Sequence, residues 1–169
     1  MSNFNAPAEK GWERRLRESL LLFGHRNWIV IADSAYPAQS RPGIETVLAQ
    51  DDQIAVVRRA LTTIQDYRHI RAAIHTDKEL EFLAESDAPG VTAYRRQLDA
   101  LFQNSKRRAV MHEQIIARLD QSSIMFRILV IKTAITIPYT SVFFELECGY
   151  SSVAIEERLR LTMQLSEGS

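Results

Sequence analysis

The chain has 169 residues, 46% of them apolar and 25% charged, with 21 basic and 21 acidic side chains. That length fits one domain with a substantial core, and the charge balance excludes the basic excess that marks a protein built around nucleic acid. One cysteine, Cys148, excludes an intrachain disulfide framework and a CxxC-type metal cluster. The opening MSNFNAPAEKGWERR lacks the apolar segment of a secretion signal, and no apolar run reaches the ~18 residues of a membrane span, so the expected location is the cytoplasm.

Residues 1–11 form the expected flexible N-terminus. Trp12, Leu16, Leu20 and Phe23 then recur at helical spacing with Glu13, Arg14, Arg17 and Glu18 opposite them. This pattern predicts an amphipathic helix, with Gly24 placed where a C-terminal cap belongs. WIVIA (28–32) is a continuous β-favouring run, the pattern of a strand covered on both faces. Pro37, Pro42 and Gly43 make 33–43 a loop. Asp51 or Asp52 caps a second helix with the stripe Ile54, Val57, Leu61 and Ile64. His69 to His75 reads as a short strand, and 78–85 and 91–102 as helices separated at Ala88-Pro89-Gly90. Residues 108–111 are a further short strand before a helix over 112–119. FRILVI (126–131) and VFFEL (142–146) are the last strands, joined by a loop containing Pro138, and a final helix covers 153–165. Helices alternating with short apolar strands predict an α/β fold, a three-layer α/β/α sandwich around a mostly parallel or mixed sheet.

Two stretches carry candidate chemistry. In FGHRNWIVIADSAYPAQS (23–40), His25 precedes the predicted strand and Asp33 follows it. Ligands of open α/β sheets sit beyond the carboxyl ends of the strands, where Asp33 lies. An extended run of this kind spans roughly 20 Å, so on a straight strand His25 and Asp33 do not touch. Two readings are open on spacing alone: turn and loop residues, or members of one site joined by the surrounding loops. The second stretch, Lys132-Thr133-Ala134-Ile135-Thr136-Ile137-Pro138-Tyr139-Thr140-Ser141, places an ammonium, hydroxyls and a phenol around a proline turn. Such a turn either presents Tyr139 and Ser141 to a polar ligand such as a sugar, or is only a tight connection at the core edge.

Gly24-His25, the run to Asp33, Tyr36-Pro37 and the distant Pro138-Tyr139 together resemble the RbsD/FucU family of ribose pyranases and fucose mutarotases. Tyr36-Pro37-Ala38-Gln39-Ser40 is similar to the fucose branch and Pro138-Tyr139 to the ribose branch. The resemblance spans 12–147 and leaves 148–169 as a C-terminal extension, whose helix would pack on the domain or on a neighbouring subunit. It implies an RbsD-like fold and a mutarotase or pyranase-like isomerase, interconverting anomers or ring forms of a free monosaccharide through the open-chain aldehyde, with no cofactor. By resemblance, His25 is the acid/base, Asp33 orients it or binds a sugar hydroxyl, and Tyr139, Ser141, His112 and Lys132 bind substrate. The resemblance also implies a ring-shaped homo-oligomer, an octamer or decamer, with sites shared between subunits.

Three departures from the family pattern stand out. Asn27 occupies a position where an acid is usual, Ser141 replaces an asparagine, and Ala134-Ile135 stands where the family carries Gly-Glu. A polar site that loses one of its partners loses selectivity sharply. The alternative is therefore a catalytically inactive monosaccharide-binding protein on the same scaffold. His69 and His75 are expected at the edges of a strand, and with His112 they lack the spacing of a zinc site.

Overall fold

The computed structural model describes residues 9–167; most of the expected flexible N-terminus lies outside the described residues. Helix α1 (Gly11–Leu22) leads to strand β1 (Trp28–Ala32), followed by β2 (Ile44–Leu48), α2 (Gln53–Gln65) and β3 (Ile70–Asp77). A 3-10 turn (Lys78–Glu81), α3 (Val91–Leu101), β4 (Arg107–Val110), α4 (His112–Ser122), β5 (Ile128–Lys132), β6 (Val142–Cys148) and α5 (Val153–Glu167) complete the described chain.

The six strands form one sheet in the order β2-β5-β1-β6-β3-β4. Strands β2, β5, β1, β3 and β4 run the same way, and only β6 is reversed, between β1 and β3. The predicted α/β sandwich with a mixed sheet is the observed architecture. Helices α1, α2 and α3 cover one face through Leu16, Leu20, Val57, Ile64, Val91 and Leu98. Helix α4 covers the other with Ile115 and Leu119 against Trp28, Val30, Ile128 and Phe143. All five residues of β1 are buried, which explains why its sequence is apolar without alternation.

Several local expectations differ from the structure. Gly24 does not take a left-handed cap conformation; α1 ends at Phe23, which is extended and donates its N–H to Ser19 O. The Gly24 amide instead donates to Asn27 Oδ1 at 2.8 Å. Strand β2 carries no signal in the sequence, because IETVL is an edge strand with half-exposed and exposed residues in place of an apolar run. The expected helix over 78–85 shrinks to the 3-10 turn. Its last acid is used elsewhere: the Glu85 carboxylate accepts from the Gly90 and Thr92 amides at 2.6 and 2.9 Å and caps α3. Those two bonds hold the Glu85 carboxyl at about 2, below the ordinary carboxylate value. Asp52 rather than Asp51 caps α2, accepting from the Ala55 amide.

Helix α5 leaves the body of the domain. Every side chain from Val153 to Ser166 is exposed, so the helix does not bury itself on its own domain. The chain reaches it through Gly149, whose amide donates to His69 O. A Cβ there would meet Arg68 O at 2.4 Å, so only glycine fits.

Candidate active site

The mixed topology brings the carboxyl ends of five strands and the amino end of β6 to one edge of the sheet. Register then decides which side chains meet. Ile31 of β1 and Thr76 of β3 both pair with Val142, so Asp33 and Asp77 end up on either side of the start of β6. Val110 of β4 pairs with Asp77, which places His112, the first residue of α4, over the end of β3.

A cavity of about 460 Å³ opens at this edge, and Asp33, Tyr36, His112, Ile137, Pro138 and Tyr139 are among the residues that line it. Asp33 folds its own loop, with Oδ1 accepting from the Ala35 amide at 3.0 Å. Its Oδ2 accepts from the Ser141 hydroxyl at 2.9 Å, and the Asp33 amide donates back to Ser141 Oγ at 3.2 Å. His112 is held more closely. Its amide donates to both Glu79 carboxylate oxygens at 3.1 and 3.0 Å. Its Nδ1 lies 3.1 Å from Asp77 Oδ1, and its ring meets the Tyr139 ring edge-on, centroids 5.6 Å apart. Tyr139 adopts φ of +60°, a left-handed conformation that a residue with a Cβ seldom takes.

The loop carrying Tyr139 is tied to the core by a buried polar network. Gln53, at the start of α2, donates to Thr140 O and Ile31 O and accepts from the Thr133 hydroxyl. The Tyr94 hydroxyl also donates to Thr140 O at 2.6 Å. Burial, with Asp120, Asp77 and Asp33 nearby, pushes the Tyr36 phenol up to about 12, so it remains neutral. Burial pushes the Asp77 carboxyl up to about 6, while His112 draws it down less strongly.

The residues singled out in the sequence divide three ways. Asp33, His112 and Tyr139 meet at the cavity. Ser141 is buried behind them with its hydroxyl engaged by Asp33, and the Lys132 ammonium donates to Tyr36 O at 2.8 Å, supporting the wall from behind. His25 is exposed at the amino end of β1, the opposite end from Asp33. The two do not come together within the chain, because β1 runs between them and their loops leave from opposite edges of the sheet. Asn27 is occupied in the turn beside His25. Besides accepting from Gly24, it donates to Arg127 O at 3.1 Å, a bond that a carboxylate at that position could not make.

Sequence reasoning missed Asp77, Glu79 and Gln53. Asp77 carries the same signal as Asp33, an acid ending an apolar strand, and is hidden because the sequence pattern places the end of that strand at His75. The remaining histidines lie elsewhere. His69 bonds to Leu20 O and Phe23 O, while His75 is buried against Glu145 Oε2 at 3.1 Å. Among the described residues no group of three or more His, Cys, Asp or Glu side chains is placed to hold a metal ion.

A sequence profile described as the RbsD / FucU transport protein family matches residues 12–149. The chain belongs to that family. None of the curated proteins matches it. Solved structures with a similar chain course include RbsD of Bacillus subtilis complexed with D-ribose, at 15% identity and a TM-score of 0.54, covering 87% of this chain and 98% of that one. FucU of Bifidobacterium longum aligns at 16% identity over 79% of this chain and 94% of its own, with a TM-score of 0.49. The fucose mutarotase of Streptococcus pneumoniae in complex with L-fucose aligns at 15% over 77% and 89%, with a TM-score of 0.48. The fold of this RbsD / FucU member is thus shared with the B. subtilis protein. Among its described residues no helix is long and apolar enough to cross a membrane.

Proposed function

We propose that this protein is a mutarotase or pyranase-like isomerase of a free monosaccharide, acting in the cytoplasm without metal or organic cofactor. The observation that carries the reading is the convergence of Asp33, His112 and Tyr139 on one cavity at the carboxyl edge of the sheet in a member of the RbsD / FucU family. In ring opening, a base takes the proton from the anomeric hydroxyl while an acid protonates the ring oxygen. The bond between the anomeric carbon and the ring oxygen breaks and the carbonyl forms. Closure on the other face of the carbonyl reverses both transfers, so no proton is gained or lost. Imidazole can serve either role near neutral pH. Asp33 and the Tyr139 hydroxyl are suited to sugar hydroxyls, one as acceptor and one as donor or acceptor.

His25 enters this scheme from a neighbouring subunit. It is exposed at the end of the sheet opposite its own chain's cavity, so a ring-shaped homo-oligomer would supply it to the next copy. On the same reading the C-terminal extension of 148–169 packs its α5, whose side chains from Val153 to Ser166 are exposed, on a neighbouring subunit.

A second reading is a catalytically silent sugar-binding protein. It is favoured by Ser141 and Asn27, whose polar groups are committed to Asp33 and to the 24–27 turn.

Saturation-transfer NMR on a panel of free aldoses tests the proposal. Wild type should exchange anomers, His25→Ala and His112→Ala should not, and a mixture of the two variants should regain exchange if sites are shared. Exchange unaffected by both substitutions sinks the histidine mechanism. Ligand broadening without exchange in wild type supports the binding protein.

A further inference from the structure

We infer that Asp77 is the positioning residue for His112, fixing the tautomer in which Nδ1 carries the hydrogen and Nε2 offers a lone pair at the cavity. The consequence for catalysis rests on the isomerase reading above; the tautomer itself does not.

The geometry gives the imidazole three supports from three elements. Glu79 of the 3-10 turn accepts the His112 amide with both carboxylate oxygens. Asp77 at the end of β3 meets Nδ1 at 3.1 Å. Tyr139 from the loop before β6 closes one side of the ring at 5.6 Å. Because His112 lines the cavity, the polar atom left for a ligand is Nε2.

A purely structural account of Asp77 fits poorly. The residue is 1% exposed, and its Oδ2 is buried without a hydrogen-bond partner among the described residues. Burying a carboxylate with one oxygen unsatisfied is unfavourable, and a neutral side chain would hold the end of β3 without that burden. What a neutral side chain cannot do is both accept from Nδ1–H and stabilise positive charge as it develops on the ring. That is the role of the buried acid in a Ser-His-Asp triad, here without a nucleophilic hydroxyl.

The pair also implies a pH response. The ionisable groups near it are Asp33 and Tyr36 from the end of β1, Glu79 from the 3-10 turn and Tyr139, while Glu81, Arg95, Asp99 and Arg107 line a second cavity together with Asp77. Burial first, then the like charges of Glu79 and Asp33, raise the Asp77 carboxyl, and His112 opposes them. With one proton on the pair, Asp77 is ionised and accepts from Nδ1–H, so Nε2 is a base. Protonating the carboxyl removes the charge that favours Nδ1–H, so acidification through about 6 weakens this preference.

Full-length protein labelled with 15N-histidine tests this directly, with the His112 signals assigned by their loss in His112→Gln. At pH 8 the wild-type ring should show Nδ1–H with Nε2 unprotonated. Asp77→Asn should abolish the tautomer preference and lower the maximal anomer-exchange rate about 100-fold with KM changed less than threefold, while Asp77→Glu should recover part of that rate. Wild-type Nε2–H at pH 8, or ring signals in Asp77→Asn that match wild type, overturns the inference, and the first of these needs only wild type and the His112→Gln assignment variant. If no aldose is turned over by wild type while the tautomer is as described, the isomerase reading fails and the Asp77 assignment stands.

Discussion

Asp33 and Ser141 are 108 residues apart in the chain and exchange two hydrogen bonds: the Ser141 hydroxyl donates to Asp33 Oδ2 at 2.9 Å, and the Asp33 amide donates to Ser141 Oγ at 3.2 Å. Ser141 is buried, and its hydroxyl serves the carboxylate instead of the cavity. Ser141→Ala should therefore lower anomer exchange about tenfold through a less well-held Asp33. It should cost about 1.5–3 kcal/mol of stability, in line with a hydrogen bond to a charged group. Steady-state exchange rates and urea unfolding measure the two effects separately.

The Asp77 carboxyl rises from its ordinary value of 3.8 to about 6 on folding. Because the folded state holds this proton more tightly than the unfolded one, the group's contribution is most favourable below pH 4. It is lost as pH rises from 4 through 6. The rise corresponds to about 3 kcal/mol. Thermal unfolding of wild type and Asp77→Asn should show a melting-temperature difference that grows in favour of the variant between pH 4 and 7 and then levels. A difference that is constant with pH would show that Asp77 is not so perturbed.

Gln53 donates to two carbonyls and accepts from the Thr133 hydroxyl inside the core. Gln53→Leu would take that partner from all three groups, an effect of roughly 3 kcal/mol or more at ~1–3 kcal/mol each. Tyr94 still bonds Thr140 O, which keeps the loop from detaching fully. Hydrogen exchange should show loss of protection over 133–141 before the central strands.

Tyr139 combines a left-handed backbone with an edge contact to His112. Tyr139→Phe retains both and removes only the hydroxyl. Stability should stay within about 0.5 kcal/mol of wild type, while sugar affinity, read by titration calorimetry, should fall about tenfold. Unchanged affinity would remove the hydroxyl from the list of sugar contacts.

Gly149 leaves no room for a side chain, since a Cβ would lie 2.4 Å from Arg68 O and 2.8 Å from the Ile70 nitrogen. Gly149→Ala must push the end of β6 away from β3. Loss of amide protection around Ile70 and Cys148, with destabilisation of about 2 kcal/mol or more, is the expected result.

The amino-acid sequence by itself determined most of the element types, because buried strands such as WIVIA and helices with a regular apolar stripe have patterns set by burial alone. It also marked Asp33 and Tyr139, an acid and a phenol just past or within the loops that end buried strands. An edge strand with exposed residues carries no such pattern, so β2 passed unnoticed. Only the tertiary structure decided which marked groups meet. Strand register put Asp77 beside His112 and Ser141 behind Asp33, while the run of β1 kept His25 at the far end of the sheet. Local composition fixes where a strand or helix forms; hydrogen-bond pairing between distant strands fixes which of their ends share a cavity, and no short stretch of sequence contains that pairing.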